Sequence, residues 1–95
     1  MSRGNRPKPA STPENPIGIR LLLDADEFED LEGGGLVIKE LHGEPRFEPE
    51  EYLEAWGPGK LMPAQVQRIE RVPKTFIYKI YLISAGPVRS DMSER

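Results

Sequence analysis

The sequence contains no cysteine and one histidine, and only 7% of its residues are aromatic. Without thiols, the chain cannot form disulfide cross-links, thiolate zinc sites or a cysteine nucleophile. The single histidine, His42, lies between Glu40 and Glu44, and no serine or other nucleophile is next to it. An acid–base role requires a pocket and a partner group that the sequence does not provide. We therefore expect His42 to be a surface or loop residue and the protein not to be an enzyme.

Long hydrophobic runs are also missing. The most apolar stretch, residues 77–83, is far shorter than the about 20 residues that a membrane-spanning helix requires. The basic residues near the N-terminus are not followed by an apolar segment of the kind that a signal peptidase reads. The sequence therefore predicts a cytoplasmic protein that does not associate with membranes.

Two possible ligand motifs fail on their spacing. Asp24, Asp26 and Asp30 have the spacing of the first, third and seventh ligands of a calcium loop, but the glycine required at the sixth position is Glu29. The triple glycine at 33–35 leads into an apolar strand pattern, with no Lys-Ser/Thr pair or helix start behind it to bind phosphate. We expect neither a metal site nor a cofactor.

The stretch from Lys74 to Ile83, KTFIYKIYLI, predicts the centre of a core. Because side chains alternate across a strand, apolar residues lie on both of its faces and only Lys79 interrupts them. Its aromatic and β-branched content is typical of a buried, pleated surface. We expect it to be a central strand.

The first half of the chain shows a strand, a helix and a second strand. Residues 17–23 alternate as a half-buried strand does. Asp24 then stands at an N-cap position with Glu27 three residues later, which is the pattern of a capping box. We expect a short helix over residues 25–32 and a strand over residues 36–41.

The next segment predicts a second short helix. Pro49 suits the first turn, and the acidic residues around it suit the positive end of a helix dipole. Tyr52, Leu53 and Trp56 would form the apolar side, and Gly57 would end the helix.

Residues 63–72 allow two interpretations. As a helix, they place Met62, Val66 and Ile69 on one face. As a strand, Ala64 and Val66 share a face while Ile69 lies on the other, which requires a bulge or a two-sided strand. We favour the strand, because a short connection leads from it into the central strand and strands joined in this way usually pair.

These elements together predict a single small α+β domain over residues 17–84. Its sheet would be mixed or mostly antiparallel, with about four strands, and two short helices would accompany it. Residues 1–16 and 85–95 are polar and poor in apolar side chains, so we expect disordered N- and C-terminal tails.

Charge is divided unevenly along the chain. Twelve acidic residues between Asp24 and Glu54 stand against Lys39 and Arg46 alone. The remaining residues are mainly basic, so the net charge of −3 is a near cancellation of two unlike parts. Complementary fields guide proteins to partners of opposite charge. The sequence therefore predicts a non-enzymatic interaction or accessory protein that binds a basic protein partner through an acidic helical surface.

The acidic residues that we expect to contact this partner are Glu27, Asp30, Glu48, Glu50, Glu51 and Glu54. The alternative is a nucleic-acid-associated protein that uses its basic N-terminal tail and a basic hairpin bearing Arg68, Arg71 and Lys74. The open edges of a small sheet also allow a homodimer.

Overall fold

The computed structural model describes residues 11–90, which form one helix and a curled, mixed sheet of six strands. The elements are β1 (Arg20–Leu22), α1 (Ala25–Glu32), β2 (Val37–His42), β3 (Tyr52–Gly57), β4 (Lys60–Arg71), β5 (Ile77–Ser84) and β6 (Arg89–Ser90). The predicted α+β domain of about four strands and two helices is therefore wrong, because strands dominate and the described residues contain one helix.

The strands lie in the order β1-β3-β4-β5-β2, and β6 pairs with the start of β4. Within residues 11–90, β1 and β3 are the one parallel pair, and the other paired strands are antiparallel. The long strand β4 pairs with β3 along its first half and with β5 along its second half. It therefore joins the two halves of the curled sheet.

A bulge in β4 explains why residues 63–72 allowed both a helix and a strand interpretation. The structure confirms the strand interpretation, and the register between β4 and β5 shifts between Val66 and Arg68. Because of this shift, Val66 lies opposite Leu82 and Ile69 lies opposite Ile80, so both side chains face the same side of the sheet. The bulge therefore keeps Ile69 next to the core.

The core lies on one side of the sheet, which we call the inner face. The buried residues Met62, Val66, Ile80 and Leu82 lie on the strands of this face, and α1 packs against it. The predicted central position of β5 is confirmed, because β5 pairs with both β4 and β2. The opposite side, which we call the outer face, is not covered by α1, and its β5 side chains are only half-buried.

Helix α1 begins as its sequence predicts. The Asp24 carboxylate accepts a hydrogen bond from the Glu27 backbone N–H at 2.8 Å, and the Glu27 carboxylate accepts one from the Asp24 N–H at 3.0 Å. Both halves of the capping box are therefore present. Phe28 and Leu31 are the buried side chains of the helix, three residues apart on one face.

The second predicted helix is wrong, since residues 52–57 form strand β3. Glu50 has a φ of 76°, a left-handed conformation that cannot belong to the first turn of an α-helix. The Glu48 N–H donates to the Glu51 carboxylate at 3.0 Å, which stabilises a turn instead. After this turn, Leu53 and Ala55 are buried on the inner face, two residues apart, as the strand period requires.

The segments at the ends of the described residues also contact the sheet. Thr12 and Asn15 hydrogen-bond each other through their backbones, and the Ser11 hydroxyl accepts a hydrogen bond from the Tyr52 N–H at 3.0 Å. Residues 1–10 and 91–95 lie outside the described residues, and the predicted domain boundaries stay a prediction. The one helix of the described part is too short and too polar to span a membrane.

Candidate binding surfaces

Two segments cover the inner face, and together we call them the acidic cover: helix α1 and the loop of residues 43–51 between β2 and β3. The loop contributes Phe47, which is 6% exposed and belongs to the core. The backbone of the loop is also tied to β4, because the Glu50 N–H donates to the Val66 carbonyl at 2.7 Å and the Val66 N–H donates to the Glu51 carbonyl at 2.9 Å. The loop is therefore held against the sheet by its buried side chain and its backbone.

The acidic cover carries many carboxylates and few cations. Its acidic residues are Asp26, Glu27, Glu29, Asp30, Glu32, Glu44, Glu48, Glu50 and Glu51. Its one basic residue is Arg46. Within the described residues, one ion pair reaches this cover, from Lys39 Nζ on β2 to Glu27 Oε1 at 3.0 Å. The other carboxylates have no cationic partner among residues 11–90.

The C-terminal half of α1 places negative charge where the helix disfavours it. Glu29, Asp30 and Glu32 lie near the negative end of the helix dipole, and the last turn contains no basic residue. Asp26 and Asp30 are four residues apart, and Glu29 and Glu32 are three apart, so like charges are neighbours on the helix surface. Each such pair destabilises a helix by about 0.2–0.5 kcal/mol.

A cleft opens where the loop of the acidic cover meets the ends of β4 and β5. Its apolar lining includes Phe47, Ile69 and Tyr78, and three carboxylates border it, namely Glu44, Glu48 and Glu51. A lysine or arginine side chain has an apolar stem and a charged end, so it suits such a combination of apolar and acidic groups. The aromatic ring of Tyr78 could also contact the cation.

The predicted acidic surface is only partly brought together. Glu27 and Asp30 lie on α1, whereas Glu48, Glu50 and Glu51 lie in the loop of the acidic cover and not on a helix. Glu54 is separate from these residues, because β3 presents it on the outer face.

Glu54 lies between two arginines. Its Oε1 is 2.9 Å from Arg20 Nε, its Oε2 is 3.1 Å from Arg89 Nη2, and its side chain is 17% exposed. The carboxylate is therefore neutralised within the chain and belongs to a structural ion-pair cluster.

Two arginine–aromatic pairs lie on the outer face, and sequence reasoning missed both. The Arg20 guanidinium lies 4.7 Å from the centre of the Trp56 ring, and the Arg68 guanidinium lies 4.8 Å from that of the Tyr81 ring. The Trp56 Nε1 is buried and has no hydrogen-bond partner among the described residues. The alternating pattern of residues 52–56, read as a strand, is the signal that would have placed Trp56 on this face.

Tyr81 and Arg68 both bind Glu70. The Tyr81 hydroxyl donates to Glu70 Oε1 at 2.8 Å, and Arg68 Nη2 donates to Glu70 Oε2 at 3.0 Å. The hydrogen bond from Tyr81 and the charge of Arg68 lower the pKa of Glu70 below its ordinary value. The hydrogen bond to Glu70 and partial burial raise the pKa of Tyr81.

The three predicted basic residues do not form one free patch. Arg68 is engaged with Glu70, and Arg71 Nε donates to the Thr75 carbonyl at 3.0 Å, which stabilises the turn between β4 and β5. Lys74 lies in this turn with a φ of 65°. The neighbouring Phe76 is 77% exposed and was not identified from the sequence.

No known relative supplies a function for these surfaces. Comparisons with protein-family models, curated proteins and solved structures found no match to this chain. Among residues 11–90, no group of three or more histidine, aspartate or glutamate side chains is arranged to hold a metal ion. His42 is exposed at the end of β2.

Proposed function

We propose that this chain is a non-enzymatic interaction protein that binds a basic protein partner through the acidic cover. The observation that carries the proposal is the uncompensated charge at the C-terminal half of α1, on Glu29, Asp30 and Glu32. These carboxylates oppose the helix dipole, Glu29 and Glu32 repel each other, and Asp30 is repelled by Asp26, so they weaken the helix. A cationic partner would remove this repulsion on binding.

The cleft beside the loop supports the same proposal. Glu44, Glu48 and Glu51 border apolar groups of Ile69 and Tyr78, so the cleft offers both kinds of contact that a lysine or arginine side chain makes. Arg46, the one basic residue of the acidic cover, also lines this cleft and is the cation that competes with the partner's side chain.

The test is a triple variant, Glu29→Gln, Asp30→Asn and Glu32→Gln, titrated against a fluorescein-labelled decalysine peptide. One pair of opposite charges about 4 Å apart in water contributes about 1 kcal/mol, which corresponds to about fivefold in Kd. We therefore expect the variant to bind at least about fivefold more weakly by fluorescence anisotropy in 20 mM NaCl. Its thermal midpoint should be equal to or higher than that of the wild type, because the like-charge repulsion is gone.

A matched control removes the same net charge elsewhere, through Glu14→Gln, Asp91→Asn and Glu94→Gln. This control should lower affinity much less, because none of the three residues belongs to α1 or to the loop of residues 43–51. Equal loss in both variants would mean that the peptide responds only to net charge, and the proposed surface would be wrong.

The second candidate is association with nucleic acid at the turn between β4 and β5. It is favoured by one observation, the exposed ring of Phe76 beside Lys74, because aromatic rings stack on unpaired bases while cations contact phosphates. A labelled oligothymidine that binds the wild type, and is released by Lys74→Ala and Phe76→Ala, would favour this function over the acidic cover.

A further inference from the structure

Strand β2 forms an open edge of the sheet. It lies at the end of the strand order and pairs with β5 on one side. The Gly43 N–H donates to the Phe76 carbonyl at 2.7 Å, which fixes the alternation along β2. Because successive residues of a strand direct their backbone groups to opposite edges, Ile38, Glu40 and His42 direct theirs away from β5. These groups have no hydrogen-bond partner among residues 11–90.

This edge is long enough and exposed enough to accept another strand. β2 contains six residues, about 20 Å at the usual rise, whereas the opposite edge strand, β1, contains three. Ile38 is 46% exposed, and Glu40 and His42 are exposed as well. An unpaired strand edge is a template for an extended peptide, which gains backbone hydrogen bonds on binding.

Carboxylates lie on both sides of this edge. Glu27 contacts Lys39 of β2, so the flank of α1 that bears Glu27 faces this strand. Residues three apart share a helix flank, which places Asp30 beside Glu27. Across the sheet, Glu40 lies opposite Lys79 in the register, but no ion pair joins them. An added strand would therefore meet a carboxylate that is unpaired within residues 11–90 on each face, Glu40 on one and Asp30 on the other, whereas Glu27 is already paired with Lys39.

A second copy of β2 suits this edge poorly. In a symmetric antiparallel pair of two β2 strands, the residue at the centre lies opposite its own copy. Every other residue lies opposite the residue of the second strand that is equally far from that centre on the other side. Centring the pair on Lys39 or Glu40 places like charges directly opposite each other, which is unfavourable. Centring it on Ile38 or Leu41 leaves only three residues of each β2 strand paired. The edge therefore favours a different chain that carries positive charge.

We propose that an extended, lysine- or arginine-rich segment of the partner adds to β2 as a further strand of the sheet. Its backbone would pair with Ile38, Glu40 and His42, and its cationic side chains would lie beside Glu27, Asp30 and Glu40. This inference rests on the proposed function, and it adds how the basic partner binds.

The probe is an eight-residue peptide of alternating lysine and valine with blocked ends, so its lysines share one face and lie beside either Glu40 or the Glu27–Asp30 flank of α1. Two isomers carry backbone N-methyl groups, one on every lysine and the other on every valine. Because alternate N–H groups of a strand point to opposite edges, only one isomer loses the donors that face β2. We expect that isomer to bind at least tenfold more weakly than the unmodified peptide by fluorescence anisotropy, and the other to bind within about twofold of it.

Hydrogen exchange locates the bound peptide. On addition of the unmodified probe, the backbone amides of Ile38, Glu40 and His42 should exchange at least tenfold more slowly, because they become hydrogen-bonded. The amides of Lys39 and Leu41 already face β5 and should change much less.

A pair of variants separates backbone pairing from charge. Glu40→Pro removes an N–H that faces away from β5, so it leaves the ladder between β2 and β5 intact. Glu40→Gln removes only the charge and keeps the N–H, so we expect a smaller loss of affinity than with Glu40→Pro. If Glu40→Pro does not fold, the N-methyl isomers and the exchange of the wild type decide the question.

The outcomes separate this inference from the proposed function. If the probe binds but both N-methyl isomers bind equally well, and the three amides stay unprotected, strand addition is wrong while the acidic cover remains the binding surface. If neither this probe nor decalysine binds in 20 mM NaCl, both the inference and the proposed function are wrong.

Discussion

The substitution Gly57→Ala tests how closely α1 packs on the sheet, since this packing positions the helical part of the acidic cover. A Cβ atom at Gly57 would lie 2.5 Å from Cδ2 and 2.7 Å from Cγ of Phe28. Ordinary carbon–carbon contacts are about 3.5–4.0 Å, so the two groups must separate by about 1 Å. The Phe28 ring is 3% exposed and surrounded by the core, so this separation requires α1 to move away from β3. Overpacking of this kind destabilises proteins by about 1–3 kcal/mol.

Thermal unfolding followed by circular dichroism measures this effect. For a domain of this size, 1 kcal/mol corresponds to about 4–8 °C, so we expect the midpoint to fall by at least about 4 °C. Gly18→Ala is the control, because no atom lies within 4 Å of its added Cβ, and its midpoint should not change. Adding Phe28→Leu to Gly57→Ala should cost less than the sum of the two single changes, because the overlap with the ring is removed. A Gly57→Ala midpoint equal to that of the wild type would refute the close packing of α1 on β3.

Two further substitutions test local interactions. Asp24→Ala removes the side chain that caps α1, so we expect the free energy of unfolding in urea to fall by about 1 kcal/mol, while Asp26→Asn, which makes no cap, should change it much less. Tyr81→Phe should raise the pKa of Glu70 toward its ordinary value of 4.5, measured by carbon NMR of the carboxyl group, because the hydrogen bond that stabilises the carboxylate is lost. In the wild type, the lowered pKa of Glu70 stabilises the fold above about pH 4.5. This stabilisation is lost as the pH falls through the folded-state pKa of Glu70. The acid-induced loss of stability should therefore be smaller in Tyr81→Phe than in the wild type.

The parts of the fold that were predicted correctly depend on neighbouring residues. Helix α1 was identified because Asp24 and Glu27, three residues apart, form both hydrogen bonds of the capping box. Strand β5 was identified because apolar, aromatic and β-branched residues occupy both of its faces within eight residues. In these two elements, local sequence and tertiary packing favour the same structure.

Strand β3 was missed because its sequence carries the signals of two structures. Pro49 and the acidic residues around it are typical of a helix start. Glu50, however, adopts a left-handed backbone conformation, which excludes an α-helix at this position. The strand signal was weaker, because Ala55 is a small residue and the period of two rests mainly on Leu53. Tertiary pairing with β4 then decided the structure, as it often does for short segments.

This error also explains why Glu54 was assigned to the wrong surface. On a helix, it would have joined Glu50 and Glu51, which are four and three residues before it. On strand β3, it points to the outer face and meets arginines that are 34 and 35 residues away in the chain. Such contacts arise from strand order, and no pattern within the segment itself indicates them.

The net charge of −3 therefore describes two different arrangements of carboxylates. On the outer face, Glu54 and Glu70 each contact arginine, so their charges are compensated and contribute to the fold. On the acidic cover, Glu29, Asp30 and Glu32 have no such partners among the described residues, and their charges act against the helix that bears them. Removing Glu54 or Glu70 leaves an arginine without its counter-ion, whereas removing Glu29, Asp30 or Glu32 from α1 relieves repulsion. Of the charges that weaken the helix, Asp30 lies on the flank of α1 that bears Glu27 and faces β2, where the proposed basic strand would compensate it.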